Sequence, residues 1–190
     1  TLTDFYEKIT QELVNLATAH QEQITDIVEL GSGTGRNIFV LSHELASRGI
    51  TGIRYHALEY TEAGRKASAL LNSKHTGQAV EIQPFDYYNP DFSFLKNSNG
   101  VLFYSVHSIE QIPLVPEKLI EAMIERNGPC YAMHFEPIGW QYDSNCQKLR
   151  ERHDSWVGQI ENIISGVKAR FLRKLGRLIH VNLAPGVRGI

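Results

Sequence analysis

Apolar residues near the amino terminus recur at the spacing of one helix face. They are Leu2, Phe5, Tyr6, Ile9, Leu13, Leu16 and Ala17. Steps of three and four residues predict an amphipathic helix over about 1–20, with Asp4 as an early cap or first-turn acid.

From Thr25 onward, short apolar strands alternate with amphipathic helices. The strands are predicted over 26–30, 54–59, 79–84, 100–104 and 130–135, and the helices over 36–47, 62–75 and 114–126. The fourth strand is almost wholly apolar, which predicts burial on both faces. Such alternation implies parallel strands joined by right-handed crossovers. The expected fold class is therefore α/β, a doubly wound, mostly parallel sheet with helices on both faces.

The pattern is less regular after Pro137. Helical spacing recurs over about 144–153 and 156–175, and 178–183 could form a sixth strand. We expect one domain over 1–190, with a cap helix at 1–20, a core at 24–136 and a helical cap region at 137–190. Because the chain lacks a starting Met and stops abruptly at Ile190, we expect a truncated piece of a longer polypeptide.

Composition narrows the class of protein. The 190 residues are 42% apolar and 21% charged, as in soluble globular domains, and the net charge of −2 gives no basic field for nucleic acid. The basic run over 168–177 is interpreted as a solvated helix face, with a ligand or partner surface as the alternative. Two cysteines are too few for a disulfide framework. Without a signal sequence or an 18-residue apolar run, we expect a cytoplasmic protein and no membrane partner.

The most informative motif is a strand followed by glycines at every second position, Gly31, Gly33 and Gly35. A strand that enters such a turn brings backbone N–H groups to a ligand at a helix N-terminus. A dinucleotide fingerprint would need glycine at Arg36, and a P-loop would need Lys followed by Ser or Thr. Both are excluded, which leaves another ligand or merely a tight turn.

Glu29 followed by G-x-G-x-G resembles motif I of the class I S-adenosylmethionine-dependent methyltransferases, and the resemblance extends over about 24–136. It implies a Rossmann-like methyltransferase sheet whose glycine loop holds the methionine part of the cofactor. It also implies that Glu29 lies near the cofactor's ammonium, often through water. Cofactor contacts are thus expected at Glu29, Gly31, Ser32, Gly33, Gly35 and Asn37.

Acidic residues follow the second and third predicted strands. In doubly wound sheets the ligand lies beyond the carboxyl ends of the strands, and Glu59 has the spacing expected for gripping ribose hydroxyls, with Tyr60 beside it. The resemblance implies that Asp86 accepts a hydrogen bond from the adenine amino group and that Tyr87 helps to bind the adenine through its backbone or ring. The alternatives are an exposed strand-end charge for Glu59 and a turn former for Asp86.

The fourth and fifth strands lead to the candidate catalytic residues. The resemblance implies that donor and acceptor meet after the fourth strand, where Ser105 is expected at the cofactor. His107 is the best candidate for the general base, and Glu110 would orient it or bind substrate. Glu136 would face the same crevice, on the same side of its strand as His134. The alternative is that His107 and Glu110 cap a helical turn. A substrate or metal cluster could also form from four side chains, His107, Glu110, His134 and Glu136. No spacing among them is diagnostic, and we expect no metal.

Further motifs add little. Asn89-Pro90-Asp91-Phe92 is interpreted as a turn, and Trp140, Tyr142 and Trp156 either line an acceptor pocket or belong to the core. We therefore expect a methyltransferase that uses S-adenosylmethionine on a small-molecule acceptor, at oxygen rather than nitrogen, alone, as a homodimer or within a larger polypeptide. The alternatives are a non-catalytic cofactor-binding domain of a biosynthetic protein and a nucleotide-binding α/β protein.

Overall fold

A computed structural model describes residues 2–75, 77–126 and 128–136 of the chain. Its helices are α1 (Leu2–Ala19), α2 (Arg36–Ser47), α3 (Glu62–Asn72) and α4 (Glu117–Ile124), and its strands are β1 (Asp26–Leu30), β2 (Arg54–Glu59), β3 (Val80–Pro84), β4 (Val101–Val106) and β5 (Cys130–Phe135). Short 3-10 turns lie at Ser93–Leu95 and Ile109–Gln111. None of the described helices is long and apolar enough to span a membrane.

All five described strands are parallel and lie in the order β3-β2-β1-β4-β5. The chain moves outward from β1 to β3 and then crosses back to place β4 on the other side of β1. The strand order therefore reverses between β1 and β4, where such sheets bind ligands beyond the carboxyl ends of their strands. The expected fold class, a doubly wound α/β sheet, is confirmed.

Alternation along the strands divides the core between the two faces of the sheet. On one face, residues such as Ile27, Tyr55 and Tyr104 pack with the apolar stripes of α1 and α2. On the other, residues such as Val28 and Phe103 pack with the apolar stripe of α4 and the loops that follow β3 and β4. Because both faces are covered, β1 and β4 are buried along their whole lengths.

A buried charge cluster closes the amino end of the sheet. Asp26 is fully buried, and its carboxylate accepts hydrogen bonds from Arg54 (2.7 and 2.8 Å), His56 (2.8 Å) and Ser98 (2.6 Å). Burial alone would raise the pKa of Asp26, but these hydrogen bonds hold it well below its usual range. Asp26 is therefore an ionised anchor at the edge opposite the candidate site.

The bounds of four elements, β1, α2, β2 and β5, are those predicted. Helix α4 begins later than predicted, because Pro116 disfavours a helical conformation at Val115 and itself occupies the N-cap. Helix α3 ends early, at Asn72, whose side chain binds the backbone of Val80 at the start of β3. Strand β4 continues to Val106 because Ser105 and Val106 pair with β5. The elements predicted after Pro137 lie outside the described residues.

Candidate active site at the carboxyl edge of the sheet

The glycine turn after β1 has three residues in the left-handed region, with φ of 66° at Gly31, 56° at Gly33 and 77° at Gly35. A Cβ on Gly31 would lie 1.7 Å from Ser108 Oγ, and one on Gly35 would lie 2.5 Å from Ser68 Oγ. At Gly33, by contrast, a Cβ would meet nothing within 4 Å. The outer two glycines are thus required by packing within the protein, while the middle one borders open space.

Glu29 lies beneath this turn and is 1% exposed. Its Oε1 accepts a hydrogen bond from Asn37 Nδ2 at 3.0 Å, whereas Oε2 has no hydrogen-bond partner among the described residues. Burial raises the pKa of Glu29 to about 7, against the lowering effects of the Asn37 hydrogen bond and of smaller contributions from the Tyr104 hydroxyl and the Ile38 N–H. Near neutral pH the carboxyl group is therefore divided between its two protonation states, and a cation beside it would favour the ionised one.

Glu59, at the end of β2, is buried and connects the glycine turn to α3. Its Oε2 accepts the Gly33 N–H at 2.9 Å, and its Oε1 accepts the backbone N–H and the hydroxyl of Thr61 at 2.8 and 2.6 Å. A carboxylate offers about four acceptor positions, so three are in use and about one remains for a ligand hydroxyl. Glu59 is therefore not the exposed strand-end charge of the alternative interpretation.

Ser32 and Tyr60, two further residues predicted to contact the cofactor, differ in their exposure to solvent. Ser32 is 7% exposed, and its hydroxyl has no hydrogen-bond partner among the described residues, although its N–H donates to Leu58 O at 2.9 Å. The Tyr60 side chain is 72% exposed. The carbonyl of Tyr60 accepts a hydrogen bond from the Arg65 guanidinium. Ser32 thus belongs to the turn, while the ring of Tyr60 is in solvent.

Asp86 and Tyr87, after β3, are both engaged by the protein. Asp86 accepts the Tyr88 N–H at 2.8 Å and the Asn89 side-chain amide at 3.2 Å, which is the geometry of a turn-forming aspartate. The Tyr87 hydroxyl lies 2.9 Å from Ser108 Oγ, and burial raises the pKa of Tyr87. Tyr87 therefore joins the β3 loop to the β4 loop.

Ser105, His134 and Glu136 form a polar cluster across the ends of β4 and β5. The Ser105 hydroxyl donates to Glu136 Oε1 and lies 2.9 Å from His134 Nδ1. Because Ser105 has one proton to give, His134 must supply the other through an Nδ1–H. Burial lowers the pKa of His134 to about 4, so its ring is neutral at pH 7. Ser105 thus faces β5, and its hydroxyl is fully engaged there.

His107 and Glu110 stand at the carboxyl end of β4, and each side chain is about one-third exposed. His107 Nδ1 lies 3.4 Å from Glu110 Oε1. The imidazole packs against Phe5 of α1, with ring centroids 5.4 Å apart. His107 also has φ of 53°, unusual for a residue with a side chain. The fold therefore brings two of the three predicted catalytic residues, His107 and Glu110, together with the amino end of α1.

Several residues at this edge were not singled out from the sequence. Ser108 fills the space beside Gly31 and contacts Tyr87, which no local pattern reveals. Thr61 caps α3 by accepting the Gly64 N–H at 3.1 Å while its hydroxyl donates to Glu59, and Thr before a helical Glu is a recognisable N-cap signal.

A groove of about 400 Å³ lies between α1 and α2, with Asn37 on its wall.

Within residues 2–75, 77–126 and 128–136, no group of three or more His, Cys, Asp or Glu side chains could hold a metal ion. The four polar side chains considered for a cluster are instead divided into two sets, His107 with Glu110 and His134 with Glu136. Trp140, Tyr142 and Trp156, the predicted aromatic lining, lie outside the described residues.

Solved structures of similar fold include the N-terminal domain of EvdMO1 with SAH bound, at 19% identity and a TM-score of 0.50, covering 65% of this chain and 48% of that one. EvdMO1 itself matches at 19% identity and a TM-score of 0.46, over 60% of this chain and 25% of that one. The chain spans about half the length of the first structure and a quarter of the second. No protein-family model and no curated protein matches the sequence.

Proposed function

We propose that this chain binds S-adenosylmethionine and transfers its methyl group to a small-molecule acceptor, at a hydroxyl oxygen. The observation that supports this most strongly is Glu29, a buried carboxyl group beneath a turn of three positive-φ glycines, with one oxygen that has no hydrogen-bond partner among the described residues. Burial disfavours the ionised form of Glu29, and a ligand ammonium beside the unpartnered oxygen would stabilise that form. A solved structure of similar fold holds SAH, the demethylated form of this cofactor.

The residues present fit the cofactor at two further points. Open space beside Gly33 admits a ligand against the backbone of the turn. Glu59 lies 26 residues further on and retains about one acceptor position for a ribose hydroxyl, and Thr61 would free a second by turning its hydroxyl away. The adenine contact from Asp86 has weaker support, because its carboxylate already accepts two hydrogen bonds within its own turn.

When bound, the cofactor supplies a methyl carbon made electrophilic by its sulfonium sulfur. Transfer to a hydroxyl would exchange the carbon–sulfur bond for a carbon–oxygen bond, leave SAH as the thioether product and require the hydroxyl proton to leave. His107 is the residue at this edge placed to take that proton, through the ring nitrogen that does not face Glu110. Glu110 then stabilises the imidazolium by its negative charge, and the proton passes to water after product release.

Calorimetric titration with S-adenosylmethionine, SAH and NAD tests the proposal. We expect both methionine-derived compounds to bind and NAD not to bind. Binding of NAD without either of the others would refute the cofactor assignment and favour a nucleotide-binding α/β protein. Binding of SAH together with no methyl transfer to any hydroxyl or amine acceptor would favour the non-catalytic domain. A panel of labelled-methyl assays on pooled small molecules supplies that second measurement.

A further inference from the structure

The loop after β4 is held in place by the carboxylate of Glu136, the residue that follows β5. Glu136 Oε1 accepts the Ser105 hydroxyl, and Oε2 accepts the N–H groups of Ser108 and Glu110 at 2.9 and 3.2 Å. These amides open the 3-10 turn Ile109–Gln111, so the carboxylate serves as its cap. Both oxygens of Glu136 are therefore occupied by the protein itself.

This loop holds His107 in a backbone conformation that it would not adopt alone. Its φ of 53° is in the left-handed region, which residues with a Cβ avoid and which persists only where the surroundings enforce it. The His107 N–H donates to Phe135 O at 3.0 Å, and Gln111 Nε2 donates to His107 O at 2.6 Å. With the contacts to Glu136, these bonds fix the residues on both sides of His107.

The enforced backbone brings the His107 ring to Glu110. Nδ1 lies 3.4 Å from Glu110 Oε1, so the proton of the neutral ring is favoured on Nδ1 by the facing carboxylate. The other nitrogen, Nε2, is then left with a free lone pair. That is the form in which a histidine accepts a proton from a hydroxyl.

We propose that Glu136 is a positioning residue, which holds the β4 loop so that Glu110 keeps His107 in the Nδ1–H tautomer with Nε2 free as the base. This inference rests on the proposed function and divides roles within its site. His107 takes the acceptor proton at Nε2, Glu110 orients the ring and balances its charge, and Glu136 does not contact the acceptor. Its carboxylate accepts three hydrogen bonds from the protein, two of them from backbone N–H groups of the loop that carries His107 and Glu110, so its contacts are those of a group that shapes this loop.

Nitrogen-15 NMR of the histidine rings tests this without cofactor or acceptor. Spectra are recorded on the full chain above the usual histidine pKa, and the His107→Gln variant assigns the signal. We expect an Nδ1–H ring in the wild type and mainly Nε2–H, the form preferred in water, in Glu110→Ala. Glu136→Ala should produce the same change although Glu110 is retained. His43, exposed on α2, is the internal control and should not change.

A conservative variant separates positioning from proton transfer. In Glu136→Gln the amide oxygen still accepts the Ser108 and Glu110 N–H groups, and the Ser105 hydroxyl can turn to accept from the amide nitrogen, so we expect the Nδ1–H tautomer to be retained. Once an acceptor is found, Glu136→Gln should retain turnover within about threefold. Loss of turnover with an intact tautomer would overturn the proposal, since it would make Glu136 the proton acceptor.

The remaining outcomes are equally decisive. An Nε2–H ring in the wild type, or an unchanged Nδ1–H ring in Glu136→Ala, would overturn the positioning role. If Glu136→Ala does not fold, Glu136→Asp keeps the charge but withdraws the carboxylate by one methylene, and the same change of tautomer is expected. Failure of the wild type to bind S-adenosylmethionine, with the tautomers as expected, would instead refute the proposed function alone.

Discussion

The carboxylate of Glu59 accepts a hydrogen bond from the backbone N–H of Gly33, with Oε2 and N 2.9 Å apart. The bond joins the end of β2 to the middle of the glycine turn. The residue expected to grip a ribose thus also shapes the turn expected to hold the methionine part. The two halves of the proposed cofactor site are therefore coupled through one side chain.

Replacing Glu59 with Gln should weaken SAH binding about 10- to 100-fold, because hydrogen bonds to charged groups contribute about 1.5–3 kcal/mol. The amide of Gln would also place an N–H₂ group against one of the groups that now donate a hydrogen bond to Glu59, so that bond would be lost. Calorimetry measures the affinity, and Glu62→Gln is the matched control, since that side chain is 71% exposed and paired with Lys66. Equal affinity in the wild type and Glu59→Gln would contradict the ribose assignment.

Replacing Gly33 with Ala should abolish measurable SAH binding while the domain stays folded. A Cβ there enters open space, and the positive φ adds strain of about 1–2 kcal/mol. Gly52→Ala is the matched control, because Gly52 has φ of 82°, equally open surroundings and a position at the amino edge of the sheet. Both variants should lose similar stability in urea, and only the first should lose affinity. If both variants lost affinity for SAH equally, the assignment of the glycine turn to SAH binding would be contradicted.

Glu29 gives stability a dependence on pH that can be isolated with Glu29→Gln. Its pKa is raised from 4.5 to about 7 on folding, so its contribution is full below pH 4.5 and is lost as pH rises to 7. At pH 8 the variant should be more stable than the wild type by up to about 3 kcal/mol. His134, with a lowered pKa of about 4, acts in the opposite direction between pH 4 and 6.5.

Because those two slopes oppose one another, the difference between wild type and variant is the quantity to measure. Urea unfolding at pH 5, 6, 7 and 8 supplies it. We expect the difference to grow from pH 5 to pH 7 and to level off towards pH 8. A difference that is constant with pH would mean that Glu29 is ionised in the unliganded protein throughout.

Ligand binding should release protons from Glu29. With a pKa of about 7, the carboxyl group is about half protonated at pH 7, and a bound ammonium would favour the ionised form. Calorimetry of SAH in two buffers of different ionisation enthalpy should therefore reveal about half a proton more released by the wild type than by Glu29→Gln. Identical proton release by both proteins would place the ammonium elsewhere.

Asp26→Asn should destabilise the fold without changing SAH affinity. The substitution leaves the hydrogen-bonding groups of Arg54, His56 and Ser98 facing a neutral amide, and loss of one partner from a buried charged network costs about 3–5 kcal/mol. The cluster lies at the edge opposite the site. Urea unfolding and calorimetry provide the two measurements, and a large loss of affinity in protein shown to be folded would contradict the separation of the two edges.

Local patterns were sufficient to predict most of the fold. The bounds of β1 and α2 follow from an apolar run, the glycines and helical spacing, which are signals within the segment itself. Strand β4 was predicted to end before Ser105 because the apolar run stops there, whereas the strand continues because the buried Ser105 pairs with β5 and its hydroxyl has hydrogen-bond partners there. Its partners, His134 and Glu136, are 29 and 31 residues away.

The contacts within the candidate site were harder to predict from the sequence, because they too join residues that are far apart in the chain. The position of Glu59 could be predicted, but its bonds to Gly33 and Thr61 depend on how the turn folds over the strand. The roles of Tyr87 and Ser108 depend on contact between loops that lie 21 residues apart. Residue type and spacing predict which side chains reach this edge, and only the tertiary structure decides which are already engaged.

The most direct test is a crystal structure of the chain grown with saturating SAH. We expect the ligand across the carboxyl ends of β1 and β2, with its amino-acid part against Gly33. Its ammonium should lie at Glu29, directly or through one water, and its ribose hydroxyls at Glu59. SAH seated in the groove between α1 and α2, or absent from the glycine turn, would contradict the assignment.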